Sequence, residues 1–224
     1  VYGLNRFLTK MYGWMSLAIL ASAATAYWLA TANGGQLLQN LAASRGTMLV
    51  GLILWFVIPF IVSFQAMKRP TLSLGLLFFY SILSGFVFST ICLAYTGTTI
   101  FSAFVSASAI FISMSVYGLV TKKNLDKWGT QATAALFALI IAMVINIFLR
   151  SSMISFVFSI IAIVIFTVLT GYDTQKMKQM YNNYGDQVST TGLAVFGALQ
   201  LYLDFVNLFL QLLQIFGGNG NNRQ

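Results

Sequence analysis

The feature that most constrains this chain is the length of its apolar runs. Seven stretches, at roughly 11–32, 47–66, 72–95, 99–120, 130–149, 153–172 and 192–216, pass with almost no charge. A helix rising ~1.5 Å per residue needs about twenty such residues to cross ~30 Å of hydrocarbon. Of the 224 residues 58% are hydrophobic and 7% charged, whereas an ordinary soluble domain carries roughly a quarter charged residues. A water-soluble core cannot hide that much apolar surface. Outer-membrane strands would show segments of about ten residues alternating apolar and polar, a pattern this chain lacks. The expected fold is therefore an all-α integral membrane protein, one transmembrane helical domain over 1–224 with about seven spans embedded in a lipid bilayer.

Short interruptions separate the runs: Asn33-Gly34-Gly35, Lys68-Arg69-Pro70, Gly97, Lys122 to Gly129, Arg150-Ser151-Ser152, and the polar stretch from Tyr181 to Thr191. They carry the turn chemistry of Gly, Pro, Asn and Ser, and none is long enough for a soluble domain. Arg6 and Lys10 ahead of the first run, with Ala21-Ser22-Ala23 inside it, resemble a cleavable leader, but the run continues to Ala30 and reads as a retained span.

Basic residues near span ends stay on the cytoplasmic side. Arg6, Lys10, Lys68, Arg69, Lys122, Lys123, Lys127, Lys176 and Lys178 fall on one side of the seven-span path, and Arg45, Arg150 and Arg223 on the other. That asymmetry puts the N-terminus in the cytoplasm and the tail Gly217 to Gln224 outside; a re-entrant last segment would return the tail to the cytoplasm. The net charge of +8 is thus a matter of topology. Its bearers are dispersed over short loops, so nucleic acid is not an expected partner. Short loops without targeting tails point to a bacterial plasma membrane.

Much chemistry is excluded by what is missing. With no His, no Glu and a single Cys, Cys92, the chain cannot build a zinc site, a Ser-His-Asp triad or an internal disulfide. No Gly-rich phosphate loop with its Lys is present, and no cofactor is expected. Cys92 reads as a small residue of an apolar span.

Four acids remain. Asp126, among Lys122, Lys123 and Lys127, and Asp186, in a polar loop, read as solvated charges. Asp173 and Asp204 fall at the end of the sixth run and well inside the seventh. A charge at mid-bilayer costs at least ~2.5–3.5 kcal/mol, so such an acid must face protein or water and is a functional candidate by default. Around Asp204, the residues Gln200, Asn207, Gln211 and Gln214 recur at spacings of four and three, laying every polar group of that span on one stripe. Two readings stand for the stripe: a packing seam of hydrogen-bonded amides, or the lining of a cavity.

Three segments, taken in order, carry a resemblance. Tyr117-Gly118-Leu119-Val120-Thr121-Lys122-Lys123-Asn124-Leu125, Gly171-Tyr172-Asp173-Thr174-Gln175 and Leu201-Tyr202-Leu203-Asp204-Phe205-Val206-Asn207-Leu208-Phe209 resemble the signature segments of the Bax inhibitor (transmembrane Bax inhibitor motif) family. The resemblance implies six helices around a central, acid-bearing last helix. It implies a pH-sensitive calcium leak whose gate is a hydrogen-bonded aspartate pair, here Asp173 and Asp204, offering weak and transient ligation to the passing ion. It also implies a basic residue at the cytoplasmic end of the second span that can latch onto one of the acids; Arg69 and Lys68 are the nearest equivalents.

Two carboxyls within hydrogen-bond reach share a proton and titrate as a unit, and once deprotonated they present the oxygen ligands calcium prefers. One difficulty stands against the pairing. With the sixth run ending near Asp173 and the last starting near Gly192, Asp204 lies ~18 Å deeper, by helical rise. Either the sixth helix dips lower in a water-filled vestibule, or the last helix begins several residues later. Two other functions compete. Paired membrane aspartates are also the device of intramembrane aspartyl proteases, but those carry Gly-x-Gly-Asp at the second acid and a later Pro-Ala-Leu, whereas Asp204 follows Leu201-Tyr202-Leu203 and no Pro follows Pro70. A non-transporting regulator, binding another membrane protein such as a quality-control protease, would show the same polar seam.

Overall fold

The structure, a computed structural model, describes residues 2–218, without the side chains of residues 2, 32–34 and 92. The distal tail and Arg223, and the packing role expected of Cys92, therefore lie outside the described residues. Among the described residues eight helices follow one another: α1 (Tyr2–Ala30), α2 (Ala32–Ala43), α3 (Arg45–Gln65), α4 (Pro70–Ala94), α5 (Gly97–Val120), α6 (Asp126–Leu149), α7 (Ser152–Tyr184) and α8 (Thr190–Gly218). Seven are long and apolar enough to cross a membrane, and no strand occurs among the described residues. The fold is all-α, as the apolar runs predict.

Two elements depart from the sequence expectation. The stretch after Asn33 is not a loop but the short helix α2. Its Gln, Leu and Ala residues favour helix, yet twelve residues rise only ~18 Å, too little to span. The second departure is α7, which does not end near Asp173 but continues to Tyr184. Gln175 to Lys178 read as a membrane exit on hydropathy, but Thr174, Gln175 and Met177 are buried. Polarity there faces protein, and the Gln, Lys and Met side chains sustain the helix.

The chain forms two compact units, the first running to Tyr95 and including Met180–Tyr202, the second comprising Thr96–Gln179 and the chain from Leu203. In the first, α1 packs on α4, and α3 on α4. The seam of α1 is Phe7, Met11, Met15, Ala18, Ser22, Ala26 and Leu29, all buried, at the four-and-three spacing that keeps one helix face on its neighbour. Opposite it α4 presents Ser73, Ser81 and Ser84, also buried, and Gly85, whose absent side chain leaves room for Thr25 and the Ser22 carbonyl. Small residues let membrane helices approach where lipid supplies no hydrophobic drive. Tyr202 is wholly buried in this unit; its hydroxyl pairs with Ser22 Oγ at 2.6 Å, and Ser22 donates to the Ser81 carbonyl at 2.7 Å.

In the second unit α5 buries Ala103, Ala107, Phe111, Ser115 and Gly118, and Phe205 of α8 stands edge-on to Phe104 and Phe111 at 5.7 and 5.6 Å between ring centres. Burial separates the spans by role. The most apolar window of α8 is 67% buried, against 11–39% for the other six, the burial of a helix with protein on most of its sides. At the other extreme α3 leaves Phe56, Phe60 and Phe64 exposed along one stripe, a surface suited to lipid tails.

Candidate functional site

Asp173 and Asp204 come together. Each is buried, at 7% and 4% exposure, and their side chains hydrogen-bond to one another. Two ionised carboxylates have only acceptors, so this bond requires a proton held between them. Asp204 Oδ2 is buried without a hydrogen-bond partner, an arrangement that costs ~1–3 kcal/mol and leaves a lone acceptor oxygen in the site.

Helix lengths remove the difficulty posed by the sequence. From Asp173, α7 runs on for eleven residues to Tyr184, and α8 starts at Thr190, fourteen residues before Asp204. Those legs are ~16 Å and ~21 Å, so the two acids lie within about one helical turn of the same height. A later start of the last helix is thus overturned: α8 begins before Gly192, and the whole correction is the length of α7.

The backbone around Asp173 is fixed by close packing against the segment that joins α5 to α6. A Cβ on Gly118 would strike the Gly171 carbonyl, and one on Gly129 would strike the Tyr172 ring, so just ahead of the acid α7 meets α5 backbone to backbone and lays an aromatic ring on the backbone of α6. Next to it, Gln175 clamps the connection: its Oε1 accepts from the Leu125 N–H at 2.8 Å and its Nε2 donates to the Lys123 carbonyl at 2.7 Å. Lys178 Nζ donates to the Leu119 carbonyl at 2.8 Å, satisfying one of the acceptors that the end of α5 leaves open. Asn124 Oδ1 accepts the Asp126 N–H at 2.9 Å. The first two signature segments are therefore two halves of one joint. Their glycines and amides position Asp173.

Lys176 is the cation of the neighbourhood. It acts electrostatically on both carboxyls, and its ammonium stands 6.0 Å from the centre of the Tyr172 ring. Asp126 and Asp186 are exposed, as expected of solvated charges; Asp126 opens α6, where a negative charge complements the helix dipole.

The polar stripe of α8 divides by use. Asn207 Nδ2 donates to the Leu203 carbonyl of its own helix at 2.7 Å. Gln211 and Gln214 face a cavity, and Gln211 Oε1 is buried without a partner. Gln200 is half-buried in the first unit. Lys68 and Arg69 are exposed in the turn before α4 and belong to the first unit, while both acids belong to the second; their role as a latch rests on the resemblance alone. Sequence reasoning held cavity lining as one reading of the α8 stripe, but missed the roles of Gln175 and Lys176 and the share of α6 in the cavity. The available signal for the last was Asn146, a polar residue within the apolar run of α6.

Fold and site together define a class: a polytopic helical membrane protein whose last two helices join a buried carboxyl pair. Residues 4–221 match the family described as "Inhibitor of apoptosis-promoting Bax1", and the chain belongs to this Bax inhibitor family. YrjE of Lactococcus lactis is 40% identical over 225 residues, covering 99% of this chain and 94% of the relative. A membrane protein of Streptococcus pyogenes serotype M1 is 37% identical over 97% of this chain and 94% of its own length. The inner membrane protein YbhL of Escherichia coli K12 is 35% identical over 96% of this chain and 92% of its own length.

Proposed function

We propose that the protein is a pH-sensitive calcium leak of the plasma membrane, gated by the Asp173–Asp204 pair, with its N-terminus in the cytoplasm. The observation that carries this reading is the buried hydrogen bond between acids on α7 and α8. With its shared proton the pair carries one negative charge; without it, two. The second charge drives the carboxyls apart and frees oxygen ligands of the hard type that calcium binds. Tight calcium sites use about six to eight oxygens, so two carboxyls suit passage and not storage. Arg69, with Lys68 as the alternative, is the proposed latch that holds one acid in its charged form, through the bidentate geometry open to a guanidinium.

Calcium entry into proteoliposomes, followed over a series of pH values, tests the reading. Flux should depend on pH in the wild type. Asp204→Asn should flatten that dependence, because an amide cannot take part in the exchange of the shared proton. Asn207→Leu removes a side chain whose hydrogen bond stays within α8 and should leave the dependence in place. An unchanged pH profile in Asp204→Asn would sink the gate, and absence of calcium flux at every pH would sink the leak itself. Arg69→Gln and Lys68→Gln separate latch from anchor: the latch residue shifts the midpoint of the profile, and an anchor does not.

A further inference from the structure

At the α6–α7 turn, one helix length from the Lys122 to Leu125 connection, the second unit holds a cavity of about 560 Å³. Asn146, Arg150, Ser151, Ser155, Gln211 and Gln214 are among its lining residues. Such a lining is foreign to a lipid-facing or tightly packed helix end, since polar groups within a span must be met by protein or water. Here protein does not meet them all. Asn146 donates through Nδ2 to Ser155 Oγ at 2.8 Å and to the Ser151 carbonyl at 3.3 Å, but its Oδ1, like Gln211 Oε1, is buried without a partner. Asp204 Oδ2 is the third such acceptor. Asp204 and Gln211 lie two turns apart on one stripe, ~10 Å along α8. Two acceptor oxygens without protein donors therefore belong to residues lining the cavity, and a third lies about two turns further along α8; each is a group that water or an oxygen-ligated cation can meet in turn.

We propose that this cavity is a hydrated vestibule through which water and cations reach the acid pair along the polar stripe of α8. The inference rests on the leak reading and deepens it by naming the entrance, at the end of the unit opposite the lysine-rich connection. Arg150 stands exposed at the mouth, and its backbone is held in the left-handed region at φ 53° by the cap of α6, where its N–H donates to the Asn146 carbonyl at 2.7 Å. A fixed positive charge there lowers the local concentration of a divalent cation and so restrains entry.

Two measurements test this, both in a Cys92→Ala background and in membranes. The first is reaction with a cationic methanethiosulfonate. Ser155→Cys, a near-isosteric change, and the deeper Gln211→Cys should both be labelled, and Phe148→Cys, on an exposed apolar face of α6, should not. The second is calcium flux through Arg150→Glu. Reversing one charge at ~10 Å from a divalent ion should raise entry about ten-fold at low salt and about three-fold at ~0.1 M. Unlabelled Gln211→Cys in a protein that unfolds at the wild-type temperature overturns the vestibule. Labelling without any effect of Arg150→Glu on flux overturns its place on the cation route. Labelling in a protein that passes no calcium overturns the leak and leaves a water-filled vestibule standing.

Discussion

A single methyl group at position 118 has nowhere to go. The Gly171 carbonyl occupies the space where it would stand, and Thr174 closes the other side at 3.2 Å. The obstacle is backbone, so the clash is relieved only by parting α5 from α7. Gly118→Ala should therefore destabilise the protein by about 1–3 kcal/mol, the usual effect of overpacking. Gly75, also in a helix, has nothing within 4 Å of a Cβ; Gly75→Ala should be neutral or stabilising by about 0.5–1 kcal/mol, because alanine loses less backbone freedom on folding. Thermal unfolding of both variants in one detergent gives the comparison, and equal shifts would show that the crossing tolerates a side chain.

At the scale of elements, what was legible in the sequence was whatever one helix states alone. Seven apolar runs mark seven spans, and the four-and-three spacing of Gln200, Asp204, Asn207, Gln211 and Gln214 marks a single face of α8. The end of α7 was not legible, because hydropathy cannot tell a polar residue entering water from one, such as Gln175, that enters a protein joint. The cavity was legible from one side only, as a reading of the α8 stripe; that its lining joins Gln211 to Asn146 on α6 is a proximity only the fold creates. The acid pair lies between these cases: its members stood out as buried charges, and their meeting depended on a helix length that the sequence misreports. The joint makes a prediction of its own. Gln175→Leu leaves the Leu125 N–H and the Lys123 carbonyl without the partners they have now, at about 1–3 kcal/mol for each group that water does not reach. The connection between α5 and α6 should become the first site of limited proteolysis, with melting lowered accordingly; unchanged cleavage would show that the clamp does not hold it.

For the molecule as a whole, the charge asymmetry gives a definite orientation to test. With Cys92 replaced by Ala, a cysteine at Lys123 should be shielded from an impermeant thiol reagent in intact cells, and one at Ser152, next to the opposite turn, should react. The reverse pattern would invert the topology and with it the side to which the proposed vestibule opens. The glycine crossing carries a mechanical consequence for such a molecule. Two backbones touching without a side chain between them make a fulcrum, over which one helix can rock on the other. Asp173 sits two residues from Gly171 and Ser152 nineteen, distances of ~3 Å and ~28 Å along the axis. A rocking of roughly 10° about that point displaces the aspartate by about 0.5 Å and the start of α7 by about 5 Å. Tilting therefore swings the Arg150 end wide while the carboxyls stay in reach of each other. On the proposed reading, entrance and gate would then obey different motions, and α7 would have to turn about its own axis, or the pair gain charge, before the two carboxyls part.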